Sequence, residues 1–267
     1  MRIVIVTNGD PLAWLSSHKL FQDNENWEVV GVVYIRIPFS ARIHLLRSAI
    51  ANRSVYYAAF MQLEIVSSYF FIKQQASGKL SKKSIQQAAD SCGIPSLTTD
   101  DINCTATLNY IATLKPDLIA SIRPGQIFKR PAIDALPEIW NIHCSRLPWH
   151  AGIGGVLQAL SAGDEQLGVT VHIIESEQID SGPIVCQQLT PNHQNHSVLA
   201  STIRLYLKAA DVITNALQKR RKGKQELLDN VGGSHNSWPG TKPLRSLHAR
   251  GRVMFRLKEV FGYFNSM

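Results

Sequence analysis

Three side chains carry most of the chemistry that this sequence can do. The stretch Trp140-Asn141-Ile142-His143-Cys144-Ser145-Arg146-Leu147-Pro148 reads as a strand running into a turn. The two-residue period of a strand puts Asn141 and His143 on one face. A carboxamide can donate to a carbonyl oxygen as that oxygen becomes an oxyanion. An imidazole beside it can move a proton near neutral pH. Asp180 lies downstream in Gln178-Ile179-Asp180-Ser181-Gly182-Pro183-Ile184, a turn just before another strand. A carboxylate there could orient His143 or take a proton through water. Spacing alone does not force the three together. Cys144 could be read as a nucleophile beside His143, but strand neighbours face opposite sides, so its thiol is expected to turn inward. His143, His150, His172, His193 and His196 with Asp180 raise a metal hydrolase as a rival, yet no His-x-x-x-His or His-Glu-x-x-His pair sits on a helix. No metal site is expected. His172 follows its strand's alternation and is expected to be packed or supporting, and His193 and His196 to be exposed.

The elements that must position these groups can be read along the chain. Residues 2–7 form a short β-branched run that ends in Asn8-Gly9-Asp10-Pro11, residues 12–22 have helical spacing, and 27–35 form a second strand. This opening predicts a parallel, doubly wound α/β sheet. Ligands in such sheets bind beyond the carboxyl ends of the strands. No Gly-x-Gly-x-x-Gly follows the first strand, and no P-loop Lys, so neither a dinucleotide nor a nucleoside triphosphate is indicated. Gly152-Ile153-Gly154-Gly155 suits a backbone that is closely approached beside a site. Residues 41–75 break the rhythm and read as an amphipathic helical insertion. Its uninterrupted apolar runs, broken by Gln62, Glu64 and two serines, fall short of the ~20 residues a transmembrane span needs. Packing on the domain is one role for it; a dimer contact or a membrane-surface face flanked by Arg47, Arg53 and Lys73 is another. Further on we expect a helix over 81–91, a short strand over 93–97, and a helix capped by Asp100 or Asp101 that runs to 114. Strands follow at 116–122, 140–144, 168–174 and 184–188, with a last helix over 196–220. Loop chemistry fills the remainder, with Gly232-Gly233-Ser234 and Pro239-Gly240.

The Asn141–Pro148 stretch resembles the Asn-Ile-His-Pro-Ser-Leu-Leu-Pro signature of formyltransferases that use 10-formyltetrahydrofolate. Gly168-Val169-Thr170-Val171-His172 and Ile179-Asp180-Ser181-Gly182-Pro183-Ile184 resemble that family's second block, at the family's separation. Pro124-Gly125-Gln126-Ile127-Phe128 falls where the family has its folate-contacting loop. The likeness covers about 1–220 and is strongest from 116 to 188. It implies a Rossmann-like, mostly parallel fold and a metal-independent Asn–His–Asp triad. By this resemblance Asn141 polarises the formyl carbonyl and steadies the tetrahedral oxyanion. His143 steadies it when protonated or shuttles the proton, and Asp180 orients the site and helps deprotonate the attacking amine. No covalent enzyme intermediate is required. The pterin would lie against Pro124, Gln126, Ile127 and the turn with Gln178 and Ile179. The family's Pro after His is Cys144 here, one Leu of the signature is Arg146, and Tyr-Arg-Gly is His150-Ala151-Gly152. These departures bear on the acceptor more than on the chemistry.

Among acceptors, glycinamide ribonucleotide fits poorly, because its transferases resemble this chain but carry a Gly-Ser-Asn phosphate loop where Gly9-Asp10-Pro11 stands. Methionyl-tRNA transferases carry a C-terminal barrel, and about 45 residues follow 220 here. A small amine remains: a nucleotide-linked amino sugar by preference, or hydroxyornithine. A 10-formyltetrahydrofolate hydrolase would use the same three residues but usually has an extra N-terminal domain. A non-catalytic module would bind folate without turnover.

The 267 residues contain 28 Lys plus Arg against 20 Asp plus Glu, a net charge of +8, and 45% hydrophobic residues. That is globular composition, and it excludes a disordered or low-complexity chain. We expect a catalytic domain over 1–225, with the helical insertion at about 41–75, and a basic C-terminal extension over 226–267. The four cysteines form no Cys-x-x-Cys pair or disulfide framework, and no signal peptide is visible. A cytoplasmic protein is expected, with a small-molecule amine as partner, possible homodimerisation and no nucleic acid. The basic surface suits an anionic cosubstrate or nucleotide-linked acceptor.

Overall fold

The computed structural model describes residues 1–22, 25–36, 43, 47–48, 50–51, 54–75, 84–233 and 235–264. The chain runs β1 (Arg2–Thr7), α1 (Pro11–Ser17), β2 (Glu28–Ile35), α2 (Val55–Gln74), α3 (Ile85–Ser91), β3 (Ser96–Thr99), α4 (Thr105–Thr113) and β4 (Leu118–Ile122). It continues with α5 (Arg130–Ala135), β5 (Ile139–His143), β6 (Ala151–Gly152), α6 (Gly155–Ala162), β7 (Gln166–Ile173), β8 (Ile184–Pro191) and α7 (Val198–Arg221). Last come β9 (His235–Asn236), α8 (Thr241–Ala249) and α9 (Leu257–Val260).

Seven strands form one sheet in the order β3-β2-β1-β4-β5-β7-β8. The first five of these are parallel, while β7 runs antiparallel to β5 and β8 antiparallel to β7. The α/β, doubly wound, mostly parallel fold expected from the sequence is the one observed. The strands carry Val and Ile on both faces because helices cover both. One core holds Ile3, Ile5, Trp14, Trp140 and Val171 against α1, α2, α6 and α7. The other holds Val4, Val6, Ile119 and Phe128 against α4 and α5. Each fully buried large side chain stabilises the fold by roughly 1.5–3 kcal/mol.

The order reverses at β1, which pairs with both β2 and β4. The carboxyl ends of β1, β4 and β5 therefore open side by side, and the Asn8 N–H bonds the Arg123 carbonyl across the first gap at 3.0 Å. This is where an open α/β sheet holds ligands.

Several boundaries differ from expectation. Gly93, at φ +65°, closes the turn after α3, so the strand expected over 93–97 starts at Ser96. Neither Asp100 nor Asp101 caps α4. Cys104 holds the N-cap position, and the Asp101 carboxylate instead takes the Asn103 N–H at 2.8 Å. The segment after α7 has two further helices that Gly and Pro had masked as loop. It packs on the domain: Leu247 and Met254 are buried, β9 pairs with β6, and Arg250 donates to the Ser161 and Ala162 carbonyls. The basic run Lys219-Arg220-Arg221 is the last turn of α7, where cations complement the helix dipole.

Of the expected insertion, 41–42, 44–46, 49 and 52–53, which include Arg53, lie outside the described residues, as do 81–83 of the next helix. Helix α2 is long and apolar enough to cross a membrane by length and composition alone. Its stripe Tyr57, Phe60, Glu64, Ser67, Phe71 is buried in the domain.

Candidate active site

Sheet register brings the candidate residues together. Ser121 of β4 is the neighbour of Asn141 of β5, and His172 of β7 is its neighbour on the other side. The three side chains form a row across the sheet. Ser121 Oγ donates to Asn141 Oδ1 at 3.2 Å, and Asn141 Nδ2 lies 3.1 Å from His172 Nε2. One N–H of the Asn141 amide is left for another acceptor.

Asp180 joins this row from its loop. Its Oδ1 is 3.3 Å from His172 Nε2, and its Oδ2 is 3.5 Å from His143 Nδ1. The Gly152 N–H donates to Oδ2 at 2.8 Å. Asp180 sits at φ +53°, a left-handed conformation that costs a non-glycine residue energy and recurs at functional sites. Asn230 holds it there by donating to the Asp180 and Gly182 carbonyls, both at 2.8 Å. Gly182 is required beside it, since a Cβ would lie 2.0 Å from the Ile173 carbonyl. Burial opposes ionisation of Asp180, but His143, His172 and the Gly152 N–H outweigh it and hold the carboxyl well below the usual range. Asp180 is a carboxylate at neutral pH.

His143 Nε2 lies 3.1 Å from the His150 carbonyl, which also accepts Ser145 Oγ–H at 2.7 Å. A protonated His143 ring satisfies the carbonyl and Asp180 as a double donor. His172 Nδ1 faces the Ile173 carbonyl at 3.1 Å. When neutral, His172 accepts from Asn141; when protonated, it donates to Asp180. His172 was expected to be packed or supporting, and its sequence position alone does not show that it bridges Asn141 and Asp180. Only the β5–β7 register does. Cys144 is buried, and burial pushes its thiol up to about 12, so it is no thiolate nucleophile. His150 is buried on Asp164 at 2.7 Å. His193 is exposed, but His196 is half-buried at 2.8 Å from Arg204, short of the full exposure expected for it.

The proposed folate side is formed by the loops after β4 and β7. Gln126 is spent on structure: its Oε1 accepts the Ile102 N–H at 3.0 Å and its Nε2 donates to the Asp100 carbonyl at 2.6 Å. The Arg130 N–H donates to Glu177 at 2.8 Å and ties the two loops together. Ile127 and Ile179 present exposed apolar side chains, 49% and 43% accessible. Pro124 is half-buried and Gln178 exposed.

A second polar cluster adjoins His143, and sequence reasoning missed it. Glu64 reads as a polar interruption of an apolar helix, yet it is buried and accepts from Thr202 Oγ1 at 2.9 Å. Burial pushes its carboxyl from 4.5 up to about 7, against the opposing pull of Thr202 and Arg123. A carboxyl raised on folding contributes stability that is complete below its unfolded value and lost as pH rises through 7. We expect the stability difference between wild type and Glu64→Gln to shift by about 3 kcal/mol from pH 4 to pH 8, with wild type losing ground as pH rises. Urea midpoints across that range measure this; a pH-independent difference overturns it.

Among known families, the model described as formyl transferase matches residues 65–219. A methionyl-tRNA formyltransferase from Roseiflexus sp. (strain RS-1) is 33% identical over 141 residues, which are 52% of this chain and 43% of that protein. The corresponding protein of Akkermansia muciniphila is 30% identical over 157 residues, 56% of this chain and 49% of that one. The matched region thus spans less than half the length of these curated relatives. In fold, the chain resembles glycinamide ribonucleotide transformylase 1 from Symbiobacterium toebii, with a TM-score of 0.59, 18% identity, and coverage of 86% of this chain and 94% of that one. It also resembles a sugar N-formyltransferase from Shewanella sp FDAARGOS_354, with a TM-score of 0.55, 17% identity, and coverage of 88% and 76%. The family match takes in more than half of the 267 residues and contains Asn141, His143, His172 and Asp180, so this chain belongs to the formyl transferase family.

Proposed function

We propose that this protein transfers a formyl group from 10-formyltetrahydrofolate to the primary amine of a small acceptor, with a nucleotide-linked amino sugar the favoured class. The observation that carries this is the convergence at the end of β5 of a linked row, Asn141 to His172 at 3.1 Å, His172 to Asp180 at 3.3 Å and Asp180 to His143 at 3.5 Å. The free Asn141 N–H donates to the carbonyl oxygen of the donor's formyl group as negative charge develops there. His143, on the same strand face, adds a second donor when its Nε2–H exchanges the His150 carbonyl for the developing oxyanion. Asp180, ionised and fixed, helps draw the proton from the attacking amine by way of His143; the tetrahedral intermediate collapses with cleavage of the donor's C–N10 bond, and the proton leaves on N10 of tetrahydrofolate. Ile127, Ile179, Pro124 and the backbone of the 177–180 turn are the surfaces for the pterin. Most of the acceleration is positioning and preorganised dipoles.

Asp10 disfavours a phosphate-bearing acceptor at the β1 turn. Its carboxylate caps α1 by accepting the Ala13 N–H at 2.8 Å, the place where an anion would otherwise bind. The similarity to methionyl-tRNA formyltransferases supports methionyl-tRNA as the second reading. Four free cysteines suit the cytoplasm. The test is release of tetrahydrofolate, followed by absorbance, with purified protein, 10-formyltetrahydrofolate and a panel of amines: nucleotide-linked amino sugars, hydroxyornithine, glycinamide ribonucleotide and methionyl-tRNA. Turnover with an amino sugar is expected. Turnover without amine would mean a hydrolase, and turnover confined to methionyl-tRNA would replace the favoured acceptor.

A further inference from the structure

Helix α2 buries polar groups beside Tyr57, Phe60, Phe71 and Ile72. Glu64, Ser67 and Ser68 are on its buried face, while Val55, Tyr56, Val66 and Tyr69 face outward. Burying polar groups costs free energy unless they are engaged. The α2 wall, with Tyr57, Met61 and Glu64, borders a cavity of about 220 Å³ that reaches His143 and is also lined by Arg123, Thr202 and Tyr206. Of this lining, the formyl-transfer machinery described above uses only His143 and the Gly152 N–H.

The cavity's polar groups are held with care. Arg123 sits at φ +52°, a left-handed conformation like that of Asp180, which persists only where the surroundings impose it. Its Nε donates to the Asp10 carboxylate at 2.8 and 3.0 Å, and its Nη1 donates to the Tyr206 hydroxyl at 2.6 Å. Arg123 charge is therefore cancelled by Asp10. Thr202 occupies one Glu64 oxygen. The other Glu64 oxygen and the Tyr57 hydroxyl make no hydrogen bond among the described residues, although both side chains are more than nine-tenths buried. A pocket with no net positive charge is a poor host for phosphate or carboxylate. Its remaining acceptor and donors match hydroxyl and amine groups. At about 220 Å³ it is smaller than the ~300–1,000 Å³ sites that enclose a whole drug-sized ligand, so it encloses one ring of a larger molecule.

We propose that this cavity seats the acceptor's reacting ring, a hydroxyl-bearing amino sugar ring without anionic substituents, with Glu64, Tyr57 and Arg123 as its specificity determinants. The inference rests on the formyl-transfer reading for the direction of the amine, which faces His143. Any phosphates of a nucleotide-linked acceptor stay outside the cavity.

Binding of free 4-amino-4-deoxyglucose and of ribose 5-phosphate, measured by ligand-observed NMR without folate, tests this apart from catalysis. The amino sugar is expected to bind and ribose 5-phosphate not to displace it. Tyr57→Phe, which removes only a hydroxyl, and Glu64→Leu are each expected to raise the amino sugar Kd about tenfold. Glu64→Gln, which keeps the side-chain shape and can turn its amide N–H to the Thr202 hydroxyl and its oxygen to the cavity, is expected to restore most of the affinity. If Glu64→Leu fails to fold, Tyr57→Phe and Glu64→Gln still decide the matter. No binding of the amino sugar, unchanged affinity in Tyr57→Phe, or equal binding of ribose 5-phosphate overturns the inference. Loss of formyl transfer to every amine, with Glu64-dependent sugar binding intact, would sink the reaction and leave the pocket standing.

Discussion

Asn141→Ala is expected to lower kcat by about 10²–10³-fold, the cost of deleting one preorganised oxyanion donor, while 10-formyltetrahydrofolate binding stays within a few-fold of wild type. Asn141 Oδ1 is engaged by Ser121 and one side of Nδ2 by His172, so the amide cannot rotate freely and its remaining N–H has a fixed direction. A donor fixed in advance costs no reorganisation when charge appears, and a water in the emptied space would not be so held. Because the contact strengthens only as charge develops, the loss falls on kcat and leaves KM nearly unchanged. Steady-state kinetics with the best acceptor, together with fluorescence titration of the folate, separate these terms. A kcat within threefold of wild type would remove Asn141 from the chemistry. The Ala variant also leaves Ser121 Oγ and His172 short of a partner in a buried row, so about 1–3 kcal/mol of stability should be lost with it.

What could be read from the sequence was local. The β-branched runs at 2–7 and 27–35 and the buried strands around 119, 141 and 171 announce themselves, because each is short, apolar and bounded by turn residues. The side on which Cys144 is buried follows from strand alternation. Asn141 and His143 follow from the same period; Asp180 is a candidate from its turn before a strand, and only the resemblance joins it to the other two. The rest depends on long-range register. His172 becomes the link between Asn141 and Asp180 only because β7 pairs antiparallel with β5 and sets His172 opposite Asn141. Glu64 misleads in the opposite sense: a carboxylate in an apolar helix reads as its solvent side, yet tertiary packing turns that side inward against Thr202. Arg123 gives no sign of its left-handed backbone, and its pairing with Asp10 spans 113 residues. The helices after 240 are hidden because Pro and Gly punctuate a stretch whose order comes from packing, with Leu247 and Met254 buried, and little from propensity.

The same long-range dependence makes Asp180 the more severe site to change. Asp180→Asn keeps the shape of the side chain and an oxygen for the Gly152 N–H, but it removes the charge that faces both His143 and His172. We expect kcat to fall by about 10²–10⁴-fold, the range for losing a positioned proton-transfer group, with the fold retained. Stability supplies a second readout. A carboxyl held below its usual value stabilises the fold at every pH above its unfolded value of about 3.9 and loses that contribution as pH falls through the lowered folded value. Wild type should therefore be more stable than Asp180→Asn at pH 7, with the gap closing only below about pH 4. The activity profile has its own sign: since Asp180 stays ionised throughout pH 5–8, any acid limb of kcat in that window belongs to another group and should persist, at a lower plateau, in the variant. Chemical denaturation at pH 3 and pH 7 and a kcat profile from pH 5 to pH 8 check both statements. An Asn variant with wild-type kcat would show that the carboxylate only shapes the loop at φ +53°, and the proton path would then have to run through His143 and solvent.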